Sequence, residues 1–338
     1  MSVDETSPTA RAGYAQALRT MGYEVLPFKS TVDKVTSFVP TSVPLSVTAS
    51  PGKTISTTVD LAIALAEKGY SVTPHLAARM VPGQAELKEI GARLADSPVN
   101  SVFVVGGDAQ QAGPYGDALS LLRDIRDIGF EFDAVGIGGY PEGHALIDDE
   151  ALSRALAEKA AYADYIVTQI CFSPGAISRW ADALSRSGIT LPVRVGIPGA
   201  VSREKLLRVT ANIGIGNSAR FLRKQRDLLY RFFVPGGYNS DRIMNGLRRD
   251  VDSPTSPLST FHVFTFNEVA KTEAWRQETL RRLDVSGPDA PTATRGKPAP
   301  PASQSQGRGC AQIRRRHPRP RGLPEPGGRG GDGTQSRA

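Results

Sequence analysis

The chain has 338 residues, 40% of them apolar and 22% charged, enough for one large domain or two average ones around a sizeable core. No apolar stretch approaches the roughly 20 residues that a membrane span needs, residues 1–18 lack the apolar centre of a secretion signal, and there are two cysteines in all. These features exclude a transmembrane or disulfide-framed protein and lead us to expect a cytoplasmic one.

A polar lead, residues 1–20, precedes a repeating unit over residues 21–283: a short apolar, β-branched run, a turn, then a longer stretch at helical spacing. The runs are residues 23–27, 44–48, 71–75, 101–105, 132–137, 165–169, 192–196 and 261–266. Amphipathic stretches at residues 54–68, 85–94, 117–128, 149–159, 174–187 and 202–209 separate most of them. Such alternation predicts parallel strands joined by crossover helices. Eight units in about 250 residues match a closed (β/α)8 TIM barrel better than an open doubly wound sheet. The long interval between the seventh and eighth runs predicts extra helices there, one of them over residues 218–233. Within it Gly214-Ile-Gly-Asn-Ser218 has the look of a phosphate loop, but it lies between two helical stretches and reads as a turn with Ser218 as a cap.

The chain ends in a segment of different composition. Residues 284–338 hold 10 Lys/Arg against 4 Asp/Glu, a balance of +6, while residues 1–283 hold 31 against 30. The net charge of +7 therefore belongs to the tail and not to the body. With 19 Gly plus Pro and three residues of the V, I, L, M, F, W, Y set, the tail is expected to stay disordered. The run Arg314–Arg321 offers a contact for RNA, but nothing in the body supports nucleic acid as a partner.

A barrel carries its chemistry at the C-terminal ends of its strands. There the sequence offers Glu24, Thr48, His75, Gly106-Gly107-Asp108, Tyr140-Pro-Glu-Gly-His144, Thr168-Gln169 and Gly196-Ile-Pro-Gly199. Singly, each has an ordinary explanation: a hydrogen-bonded histidine, a solvent-facing glutamate, a glycine turn. His75, Asp108 and His144 lack the local spacing of a metal site, and no metal is expected.

As an ordered set they say more. Glu24-Val-Leu-Pro27, Val47-Thr48, Pro74-His75-Leu76, Gly107-Asp108, Tyr140-Pro-Glu-Gly-His144, Thr168-Gln169, Ile197-Pro198-Gly199 and Phe261-His-Val-Phe-Thr-Phe-Asn267 resemble, in order, the methylenetetrahydrofolate reductase family. GYPEGH and VTQICF resemble its divergent actinobacterial branch. The resemblance implies an oxidoreductase that reduces 5,10-methylenetetrahydrofolate to 5-methyltetrahydrofolate with NADH or NADPH. Hydride travels through FAD or, as in some actinobacterial relatives, directly to folate. By the same resemblance Glu24 is the catalytic acid, its apolar neighbours raising its pKa toward the working pH. Asp108 and Gln169 hold the folate substrate. Thr48, His75, Gly107, Asp108, Tyr140 and His144 line the flavin cofactor, Asp108 serving both ligands.

Some positions depart from the family pattern. Gly106 replaces an arginine before Gly-Asp, Glu268 stands where the usual folate-binding arginine would follow Asn267, with Lys271 as a substitute, and the cations for an FAD diphosphate reduce to Arg154 and Lys159. Two rivals stay open: a barrel lyase or aldolase on a small phosphorylated substrate, which needs a Schiff-base lysine, and a non-catalytic folate- or flavin-binding protein. The sequence is compatible with a homo-oligomer, and no membrane partner is expected.

Overall fold

The β-branched runs become strands that pair in chain order and close on themselves. The computed structural model describes residues 8–282 except 51, 110–112, 145–146 and 202–238, with side chains from residue 13 onward. Eight strands are found among the described residues: β1 Gly22–Val25, β2 Leu45–Val47, β3 Val72–Ala77, β4 Ser101–Val105, β5 Ala134–Gly139, β6 Tyr165–Thr168, β7 Val193–Pro198 and β8 Leu258–Phe264. Every neighbouring pair is parallel, and β8 pairs with β1 through Gly22↔His262, Tyr23↔Val263 and Glu24↔Phe264. This is the expected (β/α)8 barrel.

The helices are α1 Pro8–Arg19, α2 Thr31–Phe38, α3 Ile55–Ala66, α4 Gln84–Ala95, α5 Ala118–Ile128, α6 Asp149–Ala160, α7 Pro174–Arg186, α8 Ser240–Gly246, α9 Arg248–Asp252 and α10 Val269–Arg282. Their starts are set by side chains that accept from otherwise unpaired amides. Thr54 caps α3, Asp117 caps α5, Asp148 caps α6, and Ser173 caps α7 ahead of Pro174 in its first turn. The extra helices expected between β7 and β8 are present as α8 and α9. The stretches 202–209 and 218–233, the turn 214–218 and the tail lie outside the described residues. Among the described residues no helix is long and apolar enough to cross a membrane.

Two differences from the sequence reading have physical causes. The polar lead contains α1, which buries Tyr14, Ala17 and Leu18 and is tied down at several points. The Tyr14 amide donates to Asp252 at 2.6 Å, the Tyr14 hydroxyl to Asn245 at 3.1 Å, and Thr260 to the Ala17 carbonyl at 2.8 Å. The fifth strand runs two residues later than expected because Gly138 and Gly139, which read as turn residues, continue the ladder against Val167 and Thr168. A side chain at 139 would overlap the Trp180 ring, 2.8 Å from a built Cβ. Glycine there is a packing requirement and not a turn signal.

Alternate strand residues point outward into one large apolar layer beneath the helices, including Val25, Leu45, Val72, Val102, Ile137, Ile166, Val195 and Val263. The barrel interior is divided. On the β4–β6 side Phe103, Tyr165 and Val167 pack with Val105 and Ala134. Gly136 leaves the space that Phe103 and Tyr165 occupy, since a Cβ there would lie 2.4 Å from the Tyr165 ring. Toward β1, β2, β3 and β8 the interior is polar, with buried Ser46, Thr73, His75 and His262, joined by Ser101 at the start of β4. Of these, Thr73 and Ser101 satisfy one another at 2.7 Å.

Candidate active site

Glu24 is the last paired residue of β1 on the polar side, its side chain 11% exposed. Its Oε1 accepts from the Thr48 hydroxyl at 2.7 Å, just beyond β2. Its Oε2 lies 3.1 Å from His262 Nε2 of β8 and 3.8 Å from His75 Nε2 of β3. A carboxylate only accepts, so with Glu24 ionised the facing His262 Nε2 carries the proton. Ser46 Oγ stands 3.5 Å from the same nitrogen.

The charge balance reverses the sequence expectation for Glu24. Burial is the largest influence and does push its pKa up, but the hydrogen bond from His262, the charges of His75 and His262, and the Thr48 hydroxyl together hold it below the ordinary carboxylate value of 4.5. His75 is pushed from 6.5 down to about 4, first by burial and then by His262, against the pull of Glu24. At neutral pH the cluster therefore rests as a carboxylate beside a neutral His75, held chiefly by donation from His262 and Thr48.

Across the mouth, β4 leads into Gly106-Gly107-Asp108. Arg79 grips this loop: its amide donates to the Gly106 carbonyl at 3.0 Å and its Nε to Ala109 at 2.7 Å. Gly107 sits at φ +81°, where a Cβ would also press on the Ala77 Cβ at 2.9 Å, so glycine is required on two counts. Asp108 is exposed, and its carboxylate makes no hydrogen bond or ion pair among the described residues. It faces Tyr140, whose hydroxyl is held above its ordinary pKa by burial and then by the Asp108 charge. Tyr140 and His144 meet edge to face at 5.3 Å. Glu142, between them, accepts from the Phe172 and Ser173 amides at 2.8 and 2.6 Å, tying the β5 loop to the segment after β6.

Gln169 opens that segment, and its side-chain oxygen accepts from the Ile170 amide at 2.9 Å. Of the residues singled out from sequence, Glu24, Thr48 and His75 thus form one contact group, and Asp108, Tyr140 and His144 a second. The inclined rings of His75 and Phe103, 4.6 Å apart, join the first group to the interior packing. Thr48 and His75, assigned to the flavin by resemblance, here address Glu24. His262 and Ser46 had been given no role. The available signal was a histidine in phase with inward-facing Phe264 within the apolar run Phe261–Phe264. Lys271, the substitute for the family's arginine, is paired with Glu268 at 3.2 Å. Cys171 is buried, its thiol pushed up to about 12 by burial, which leaves it inert. No group of three or more His, Cys, Asp or Glu suited to a metal ion occurs among the described residues.

Comparison with known proteins places this geometry. The methylenetetrahydrofolate reductase family model matches residues 22–217, which include β1 to β7 with Glu24, Thr48, His75, Asp108 and Gln169. A probable methylenetetrahydrofolate reductase (NADPH) of Caenorhabditis elegans is 24% identical over 170 residues, 50% of this chain and 25% of the relative. Methylenetetrahydrofolate reductase 1 of Schizosaccharomyces pombe is 33% identical over 82 residues, 24% of this chain and 14% of the relative. Methylenetetrahydrofolate reductase 2 of the same yeast is 24% identical over 193 residues, 54% of this chain and 30% of the relative. The chain thus spans less than a third of the length of these curated relatives. Because the family model covers more than half of its residues, the chain belongs to the methylenetetrahydrofolate reductase family.

Proposed function

We propose that the protein reduces 5,10-methylenetetrahydrofolate to 5-methyltetrahydrofolate with a hydride from NADH or NADPH. The observation that carries this reading is the buried Glu24 carboxyl, set between Thr48 and His262 at the mouth of a barrel of this family. The bridging carbon of the substrate is bonded to two nitrogens and accepts a hydride only after one bond opens. A proton joins the departing nitrogen, which keeps the electron pair of the broken bond, and the other nitrogen shares its lone pair to form an iminium. In this scheme Glu24 delivers that proton. Hydride then adds to the iminium carbon to give the methyl group, and the nicotinamide leaves oxidised.

An ionised Glu24 must be reloaded in each cycle, and the 3.1 Å contact with His262 gives a path for the proton to Oε2, the imidazole taking up a proton from solvent as it gives one up. On the far side Asp108 is assigned to the pterin, whose amino and ring N–H groups suit paired donation to a carboxylate. Gln169 is assigned as a second folate contact.

The flavin implied by the family fits less well. Tyr140 and His144 suit a flat ring, but a diphosphate needs cations. Arg154 is bonded to Glu150 at 3.1 Å, and Lys159 is held below its ordinary basicity by burial, against the opposing pull of Asp117. Among the described residues the donor set does not match a flavin dinucleotide, and the steps above route nothing through one. No described strand ends in the lysine that a Schiff-base lyase needs.

The test follows the loss of NADH or NADPH absorbance with methylenetetrahydrofolate. Wild type should consume one nucleotide per methyl product, and Glu24→Gln should bind folate normally while kcat falls on the order of a hundredfold. No turnover by wild type with either nucleotide refutes the reading. Near wild-type turnover in the variant refutes the role of Glu24.

A further inference from the structure

The β1–β8 ladder stops at Glu24↔Phe264, yet the chain on either side stays paired by other means. Thr265, fully buried, donates both its amide and its hydroxyl to the Glu24 carbonyl, at 3.3 and 2.6 Å. The same hydroxyl oxygen accepts from the Asn267 amide at 3.1 Å. Asn267, 5% exposed, turns its carboxamide back onto β1. Its Oδ1 accepts from the Leu26 amide at 2.7 Å, and its Nδ2 donates to the Leu26 carbonyl at 3.0 Å and to the Thr31 hydroxyl at 2.9 Å. The side chain thus does for Leu26 what a partner strand would do, pairing both its N–H and its C=O. Leu26 is the last residue that can be held this way, because Pro27 has no N–H.

This arrangement is bought with strain. Phe266 and Asn267 are the two non-glycine residues with positive φ among the described residues, at 48° and 59°, and a bulky aromatic in that region is a genuine outlier. A tight left-handed pair is what reverses the chain after β8 and aims the Asn267 amide at β1, before α10 begins at Val269. Ordinary loop formation does not need it. The strain begins two residues past Phe264, the ladder partner of Glu24, on the segment that fixes the backbone carrying the carboxyl.

We propose that Asn267, together with Thr265, is the positioning residue for Glu24: its carboxamide extends the sheet past the last ladder pair and fixes the β1 terminus so that the carboxyl meets His262 and Thr48. The role reaches Glu24 through the Val25-Leu26 backbone, without contact to a ligand. It rests on the proposed reaction only for its kinetic consequence.

The test uses the full chain with three variants, Asn267→Gly, Asn267→Asp and Asn267→Ala. Glycine accepts the left-handed conformation without strain, so Asn267→Gly relieves the backbone while deleting the amide, and should melt no lower than Asn267→Ala. Asp keeps the volume and the acceptor but loses the two donors. The activity-independent readout is the carboxyl of 13C-labelled Glu24, assigned with Glu24→Gln and titrated by NMR. In folded Asn267→Gly its midpoint should rise toward the ordinary carboxylate value as the contact with His262 loosens. In turnover, kcat should fall about tenfold or more, with KM for the nicotinamide nearly unchanged. A folded variant with the wild-type Glu24 midpoint overturns the proposal whatever its activity, and so does failure of all three variants to fold, which marks Asn267 as a folding residue. A shifted midpoint in a protein whose wild type never turns over methylenetetrahydrofolate upholds the positioning role and refutes the proposed reaction instead.

Discussion

Acidification from pH 7 to pH 5 should cost the folded protein about 2 kcal/mol through His75 alone. The ring is 7% exposed, and its pKa is lowered from 6.5 to about 4, first by burial. Below about pH 6.5 the unfolded chain takes up a proton on this imidazole. The folded chain does not until pH falls to about 4. Between these limits the unfolded state binds more protons, so stability falls as pH falls. At pH 5 the difference amounts to roughly one and a half decades in the folding constant, or ~2 kcal/mol at about 1.4 kcal/mol per decade. For a domain of this size that corresponds to a drop of roughly 4–8 °C in Tm. Glu24, whose folded pKa is also depressed, loses its contribution only as pH falls below its unfolded value of 4.5, outside the window. Urea unfolding of wild type and His75→Gln at both pH values isolates the effect, because every other titrating group is common to the two proteins. His75→Gln should lose about 2 kcal/mol less than wild type between pH 7 and pH 5. Equal losses in the two proteins would refute the argument.

Asp108→Ala should weaken methylenetetrahydrofolate binding roughly tenfold to a hundredfold, since paired donors on the pterin lose their acceptor, while NADH affinity and Tm stay nearly unchanged. Titration calorimetry beside a melt decides it, and equal losses for both ligands would remove the folate assignment. Gly107→Ala should destabilise by about 1–2 kcal/mol from the left-handed backbone alone, with a further cost from the Ala77 contact at 2.9 Å. An unchanged urea midpoint would show that the loop relaxes freely.

The strand–helix alternation made the barrel legible before any coordinates, because a two-residue period and a helical period leave separate marks on a sequence. Element ends were less legible where glycine served packing, as at Gly139, since the letter does not say whether the residue turns or makes room. The candidate site was legible where its residues stand at strand ends, as with Glu24, Asp108 and Gln169. Their electrostatics were not. Reading Glu24 against Tyr23, Val25, Leu26 and Pro27 anticipated its burial but named the wrong neighbours and the wrong consequence: Tyr23 and Val25 face the outer layer, and the groups that outweigh burial are 24, 51 and 238 residues away in the chain.

Barrel closure supplies the partner that the sequence order hides. Glu24, Thr48 and His75 stand on or just beyond consecutive strands, so any parallel sheet with this order would bring them together. His262 stands on the last strand and reaches Glu24 only because β8 pairs with β1, in a register that sets Gly22 opposite His262. An open sheet of the same strands would leave Glu24 on an edge, with Thr48 and His75 but without the 3.1 Å donor that helps lower its pKa. Closure therefore supplies one of the contacts that hold the carboxyl below its ordinary pKa, as well as its place. The same reasoning ties the polar half of the interior to the proposed reaction. Ser46 and His262 are tolerated inside the barrel because they lie against one another and a carboxylate, whereas Phe103 and Val167 across the interior carry no side-chain group that could hydrogen-bond them or offset their desolvation. In the proposed reaction, proton chemistry would thereby be confined to the β8-β1-β2-β3 arc. The same proposal leaves recognition to the loops after β4, β5 and β6, where the Asp108 carboxylate is exposed.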